Sequence, residues 1–455
     1  MRSRWRAALA SGRLLLGLVV VVAAPPAGAA EVAGAEVALD QYEGPAEVSA
    51  TAVERFCLRI DLDPKGEQQP LTIRVDLAQS GPDTWPVEDA QVTDATGKLV
   101  PVRRNGTEWG RLFIPTSPTA QTYLVKAVTP PQGRLNPPSF PQTGRDVVEA
   151  GTGLRARVCE WFDGRRAALS LRFDDSHPTH ILKTIPILRE YGFRGTFMVN
   201  PGSADYQEHR EAWEACAAQG DQEFANHTMH HRGALSDEEL ETEVGAAAEY
   251  IRSLFPGRSG LLALNRGGGT TWVTKRPFRQ CLEKHLLFVV EGSLGMDDTY
   301  GERVQAFRTH LEQHLERGLW CRAHFHYIGD GLSTTEANFR AALDVAREHA
   351  GELWIAGMAD IYKYQLERRA TKLALRPTAP GGVTLAVSCA TDPGLFDQPL
   401  TLEVTLPAAA SAPGLTVTKV GAEAIAARAV PGMEGKVWRF DISPTDATYA
   451  LTNGR

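Results

Sequence analysis

Leu169-Ser170-Leu171-Arg172-Phe173-Asp174-Asp175-Ser176 is a largely apolar run that stops abruptly in two adjacent carboxylates. Such a run reads as a buried strand, and its acids fall where the strand meets a loop. Side chains of neighbouring residues on an extended segment point to opposite sides, so Asp174 and Asp175 are expected to divide their tasks. One is placed to bind a metal and the other to face a reacting atom. Further along, His227-Thr228-Met229-His230-His231 sets two imidazoles at i and i+4, which share a face if the segment is helical. Asp175, His227 and His231 together compose a two-histidine, one-carboxylate set that leaves positions open for water and substrate. Taken singly, paired aspartates more often begin a loop, and spaced histidines more often serve structure. Their order along one chain gives the signal its weight.

In that order the two stretches resemble the polysaccharide deacetylase family (carbohydrate esterase family 4). Its first motif is Thr-Phe-Asp-Asp-Gly and its second His-Ser/Thr-x-x-His. The likeness extends through Ile185-Pro186-Ile187-Leu188-Arg189-Glu190-Tyr191-Gly192, through Gly195-Thr196-Phe197-Met198-Val199, and through the approach Gly220 to Thr228. It covers residues 165 to 368. The resemblance implies a distorted, incomplete (β/α) barrel with its site at the carboxyl ends of the strands. It also implies a divalent metal, Zn²⁺ by preference, on Asp175, His227 and His231, with Asp174 as the base. The acid would be a histidine ending Trp320-Cys321-Arg322-Ala323-His324-Phe325-His326-Tyr327-Ile328-Gly329; His326 is the first choice and His324 the alternative. Arg266, in Leu264-Asn265-Arg266-Gly267-Gly268-Gly269-Thr270-Thr271-Trp272, is the candidate for the family arginine that steadies the catalytic aspartate. The prolines that follow that arginine in the family are absent. The three glycines read as a tight turn. The family's Asp-Trp fourth motif has no clean counterpart, Asp297 and Glu291 both being poor candidates, and Ser176 stands where the family has glycine. Trp272 and Tyr327 offer aromatic faces to a sugar ring, although buried packing is the commoner use of such residues.

The chain has 455 residues and a net charge of −7, with no basic footprint for nucleic acid. Arg2, Arg4, Arg6 and Arg13 precede an apolar stretch from Leu14 to Ala24, then Ala27-Gly28-Ala29. That order predicts a cleavable signal peptide over 1–30 and a secreted, periplasmic or cell-envelope protein. The apolar stretch is short of the about 20 residues that span a bilayer, so no transmembrane anchor is expected after cleavage. Six scattered cysteines select no disulfide pairing. Nothing in the sequence indicates an oligomeric state.

Short alternating segments and turn signals predict a β-sandwich-like domain over 31–128, and prolines mark 129–164 as a linker. Strands alternating with helical patterns predict the α/β deacetylase-like domain over 165–370, and β alternation returns in a small domain over 371–455. The expected function is removal of N-acetyl groups from an amino-sugar polymer or oligomer. The alternatives are O-acetyl ester or small cyclic-amide hydrolysis on the same scaffold, or non-catalytic carbohydrate binding in the envelope.

Overall fold

The computed structural model describes residues 30–32, 34–117, 121–128, 134–135, 146–378, 382–407, 414–433 and 435–454. The signal peptide read from residues 1–30 falls outside the described residues except for Ala30, as does most of the proline-rich stretch 129–145. Among the described residues no helix is long and apolar enough to cross a membrane. None of the six cysteines is in a disulfide.

The chain folds as mixed α/β with sheet-rich regions on both sides of a central unit. There, Glu223–Asn226, Gly195–Val199, Ala167–Phe173, Trp320–Phe325 and Leu294–Gly295 lie side by side in that order. Leu353–Ile355 pairs with the start of Ala167–Phe173. All these pairs are parallel, so every strand delivers its carboxyl end to one rim. Helices cover the sheet, and a parallel strand buried on both faces must be apolar nearly throughout. Ala167–Phe173 obeys this: every residue is buried except Arg172. Phe173 is in register with Phe197 on one side and Phe325 on the other, and the rings stack at 4.8 and 5.4 Å. This aromatic layer lies one residue below the aspartates and sets the height of the rim. A short parallel pair, Leu262–Ala263 with Leu287–Phe288, joins through a bridge between Asn226 and Leu264.

The N-terminal region packs two sheets around one core, Val37, Ile73 and Leu112 facing Leu58, Ile60 and Val125. Glu47–Glu54 and Cys57–Asp63 form a hairpin turning at Arg55 and Phe56. One of the two sheets runs on into the central unit. Thr271–Thr274 pairs with Val102–Asn105, and Gly233–Ala234 adds beyond it. In the C-terminal region two sheets share a core that includes Leu385, Val417, Leu402 and Phe440. The span 129–164 is not linker throughout. Asp146–Val148 and Arg155–Val158 are strands, and the latter pairs with Leu400–Thr405. Ala156 and Val158 point inward there, a two-residue alternation too short to stand out in the sequence.

Candidate active site

Asp174 closes the central strand, its N–H donating to the Phe325 carbonyl at 3.0 Å. The backbone then turns left-handed at Asp175 (φ 79°) and Ser176 (φ 56°), which sends the two carboxylates apart. That conformation costs about 1–3 kcal/mol for each non-glycine residue. Ser176 recovers part of it, because its buried hydroxyl accepts the Asn200 N–H at 2.6 Å.

His227 and His231 do meet, but not on a helix. Thr228 (φ 69°) and His231 (φ 57°) are left-handed, and the stretch is an irregular loop that folds back on itself. His227 Nε2 lies 3.1 Å and His231 Nε2 3.6 Å from Asp175 Oδ1, with the two rings 4.7 Å apart. His227 Nδ1 donates to the Asn265 carbonyl at 3.0 Å, which turns Nε2 toward Asp175. Asn200 clamps the loop by donating to the carbonyls of His227 and Thr228. The triple glycine is a tight turn, with Gly267 (φ 74°) and Gly269 (φ 70°) left-handed, and a Cβ at Gly267 would collide with His231 Nε2. His230 turns elsewhere, to Glu243 at 2.8 Å. Burial raises the Asp175 carboxyl, but the hydrogen bond and charge of His227, with His231 and His326, hold it well below the usual range. One donor atom from each of Asp175, His227 and His231 falls within 4.8 Å of the others, a hard oxygen and two imidazole nitrogens that suit a divalent transition ion.

Asp174 is only 3% exposed. Its Oδ2 accepts from Arg172 Nη2 at 2.9 Å and from Asn265 Nδ2 at 3.0 Å. Its Oδ1 is buried without a hydrogen-bond partner among the described residues. Burial raises this carboxyl too, yet the charges of Arg172, His227, His324 and His326 bring it below its ordinary value. Arg266 does not serve here. It is buried over the Trp109 ring at 3.8 Å and paired with Glu88 and Glu291, which ties the central unit to the N-terminal sheets. Arg172 holds the aspartate instead. It sits two residues upstream on the same strand, so alternation alone puts it on the face of Asp174. Asn265 was the other residue missed: its side chain holds Asp174 while its carbonyl orients His227.

The two strand-end histidines separate by environment. Burial and the Arg172 charge push His324 down to about 4, and its Nδ1 bonds the Ser293 hydroxyl at 2.8 Å. His326 is raised, chiefly by donating from Nδ1 to Asp297 Oδ2 at 2.7 Å. Asp297, a poor candidate by motif, is therefore the carboxylate behind His326. Trp272 does not face a sugar. It is fully buried in Thr271–Thr274, near the Trp109 and Phe278 rings, with its indole N–H on Thr270. Inward alternation toward the N-terminal core took it. Tyr327 is at the rim, its hydroxyl donating to Asp175 Oδ2 at 3.1 Å and its ring 4.4 Å from that of His177.

Residues 163–275 match the family model for polysaccharide deacetylases, as the motifs had suggested. The particular proteins it resembles include solved structures of that family. A polysaccharide deacetylase from Bacillus cereus is 18% identical, with 42% of this chain and 91% of that one covered and a TM-score of 0.32. A family 4 carbohydrate esterase from Streptomyces lividans, in complex with acetate, is 19% identical over 43% and 94% of the two chains, TM-score 0.32. A pseudoenzyme of the same family from Bacillus anthracis is 13% identical over 43% and 65%, TM-score 0.32. No curated protein matches the chain.

Proposed function

We propose that this chain is a secreted or envelope-located, metal-dependent hydrolase that removes N-acetyl groups from an amino-sugar polymer or oligomer. The observation that carries the reading is the division between the two aspartates. Asp175 is gathered with two imidazoles, whereas Asp174 is fixed at one oxygen and free at the other. We read the parallel strands as an incomplete barrel over 165–370, flanked by β domains over 31–128 and 371–455.

A Zn²⁺ ion on Asp175, His227 and His231 would supply Lewis acidity toward an acetamide carbonyl and a water. Asp174, oriented by Arg172 and Asn265, takes the proton of the attacking water at Oδ1. His326 gives a proton to the departing amine nitrogen, and Asp297 stabilises the charged imidazole before that transfer. Tyr327 holds the second oxygen of Asp175 and so fixes which oxygen faces the histidines. The charged, apolar and small-residue order of the first 30 residues supports export.

Acetate release from acetylated glucosamine oligomers, run beside acetylated xylan and small imides, tests the reading. Release from the glucosamine oligomers alone, abolished by chelation and restored by Zn²⁺, is expected. Turnover only of xylan or imides would transfer the site to ester or cyclic-amide chemistry. No turnover of any of them, with carbohydrate still bound, would make it a binding protein.

A further inference from the structure

The helix Arg303–Arg317 carries His310 and His314 one turn apart, and Trp320–Phe325, the strand that follows, carries Cys321 near its start. The imidazole rings lie 4.1 Å apart, and one nitrogen from each falls within 4.8 Å of the other and of Cys321 Sγ. His314 Nδ1 donates to the His310 carbonyl at 2.7 Å, which fixes its tautomer and leaves Nε2 as a bare lone pair. An imidazole prepared for a metal is held in this way. Cys321 is a free thiol on a fully buried residue. Spaced histidines on a half-exposed helix are usually just a solvated face. Here they lie over a sulfur.

We propose that His310, His314 and Cys321 form a second metal site, selective for a thiophilic transition ion such as Zn²⁺, that pins this helix to its strand. The site lies toward the end of Trp320–Phe325 remote from the rim, since Cys321 opens the strand that His326 follows. Two imidazoles and a thiolate are soft and borderline donors, which favour zinc, copper(I) or cobalt over magnesium or calcium. Burial pushes the Cys321 thiol up to about 12, so binding must displace its proton to solvent as the sulfur–metal bond forms. Arg322, whose charge acts on both His310 and Cys321, is held by the Gly292 carbonyl at 2.7 Å and lies over the Trp320 ring.

A rival cluster, Glu241, Cys281 and His285, is weaker because a lysine already neutralises its carboxylate. His285 Nε2 bonds Glu241 Oε2 at 2.6 Å, and Lys284 takes the same oxygen at 2.7 Å.

Cobalt substitution of the full-length protein separates these sites, because the rim set contains no sulfur. Co²⁺ loading should give a sulfur-to-cobalt charge-transfer absorption. The band should vanish in His310→Ala, His314→Ala and Cys321→Ser, each of which should lose one metal equivalent. It should persist in Cys281→Ser and in His231→Ala. The histidine variants alter half-exposed positions, so thermal unfolding close to wild type is expected and keeps the test valid even if Cys321→Ser misfolds. Absence of the band, its survival in His310→Ala, or its loss in Cys281→Ser alone would overturn the proposal. Because the readout is sulfur ligation and not turnover, failure here leaves the deacetylase reading untouched, and the reverse also holds.

Discussion

In the proposed reading, one residue of chain separates two kinds of chemistry at Asp174 and Asp175. Asp174→Asn keeps the side chain's size but cannot accept a proton. Turnover should fall by roughly 10²–10⁴ while bound metal stays near wild type. Asp175→Asn should lose the metal itself, with activity partly restored by excess Zn²⁺. Metal content and turnover measured together on both variants check this, and an empty site in Asp174→Asn alone would reverse the roles. As the proposed acid, His326 would act from its protonated form, and its partner Asp297 raises the pH at which that proton leaves. Loss of that proton would therefore set the alkaline limb of activity, while protonation of Asp174 would set the acid limb. Asp297→Asn should move the alkaline limb of the kcat profile to lower pH, and an unmoved limb would remove His326 from the acid role. Gly267→Ala should weaken metal binding without removing a ligand, since a methyl there meets His231. Isothermal titration with Zn²⁺ reads the loss.

At the scale of elements, local patterns told most where burial was strongest. Ala167–Phe173 and Gly195–Val199 are strands where their apolar runs fall. The candidate ligands Asp175, His227 and His231 were equally legible. Their geometry was not, because left-handed residues at Thr228 and His231 leave no periodic trace. Arg266 and Trp272 were misplaced for a related reason. Likeness to the family's arginine motif suggested Arg266 and an aromatic face suggested Trp272, but both side chains are drawn into a core that belongs to residues far upstream. Asp297 lacks the family's following tryptophan and was found only through the ring it bonds. Since Trp272 is packing, Trp272→Ala should cost about 3–5 kcal/mol of stability. Denaturant titration measures that loss, while KM for an oligomeric substrate should stay near wild type in the fraction that remains folded.

For the whole molecule, the central unit does not stand free of the N-terminal sheets. Thr271–Thr274 completes an N-terminal sheet, and Arg266 fixes that union over Trp109. A chain beginning at residue 146 would expose Thr271–Thr274 as a bare edge and strand a buried arginine. Aggregation in size-exclusion chromatography is the expected outcome, and a stable monomeric truncation would show the contact to be dispensable. The other end bears on how the protein reaches its native state. Arg157, just before the central unit, bonds Glu403, a partner 246 residues later. The strand that carries Arg157 has to wait for the last third of the polypeptide before its ladder closes. Loops of that length slow the search and raise contact order. Refolding should accordingly be slow. The expected closing step is the return of the C-terminal strands to a sheet whose first members, Asp146–Val148 and Arg155–Val158, precede Asp174 and Asp175 in the chain.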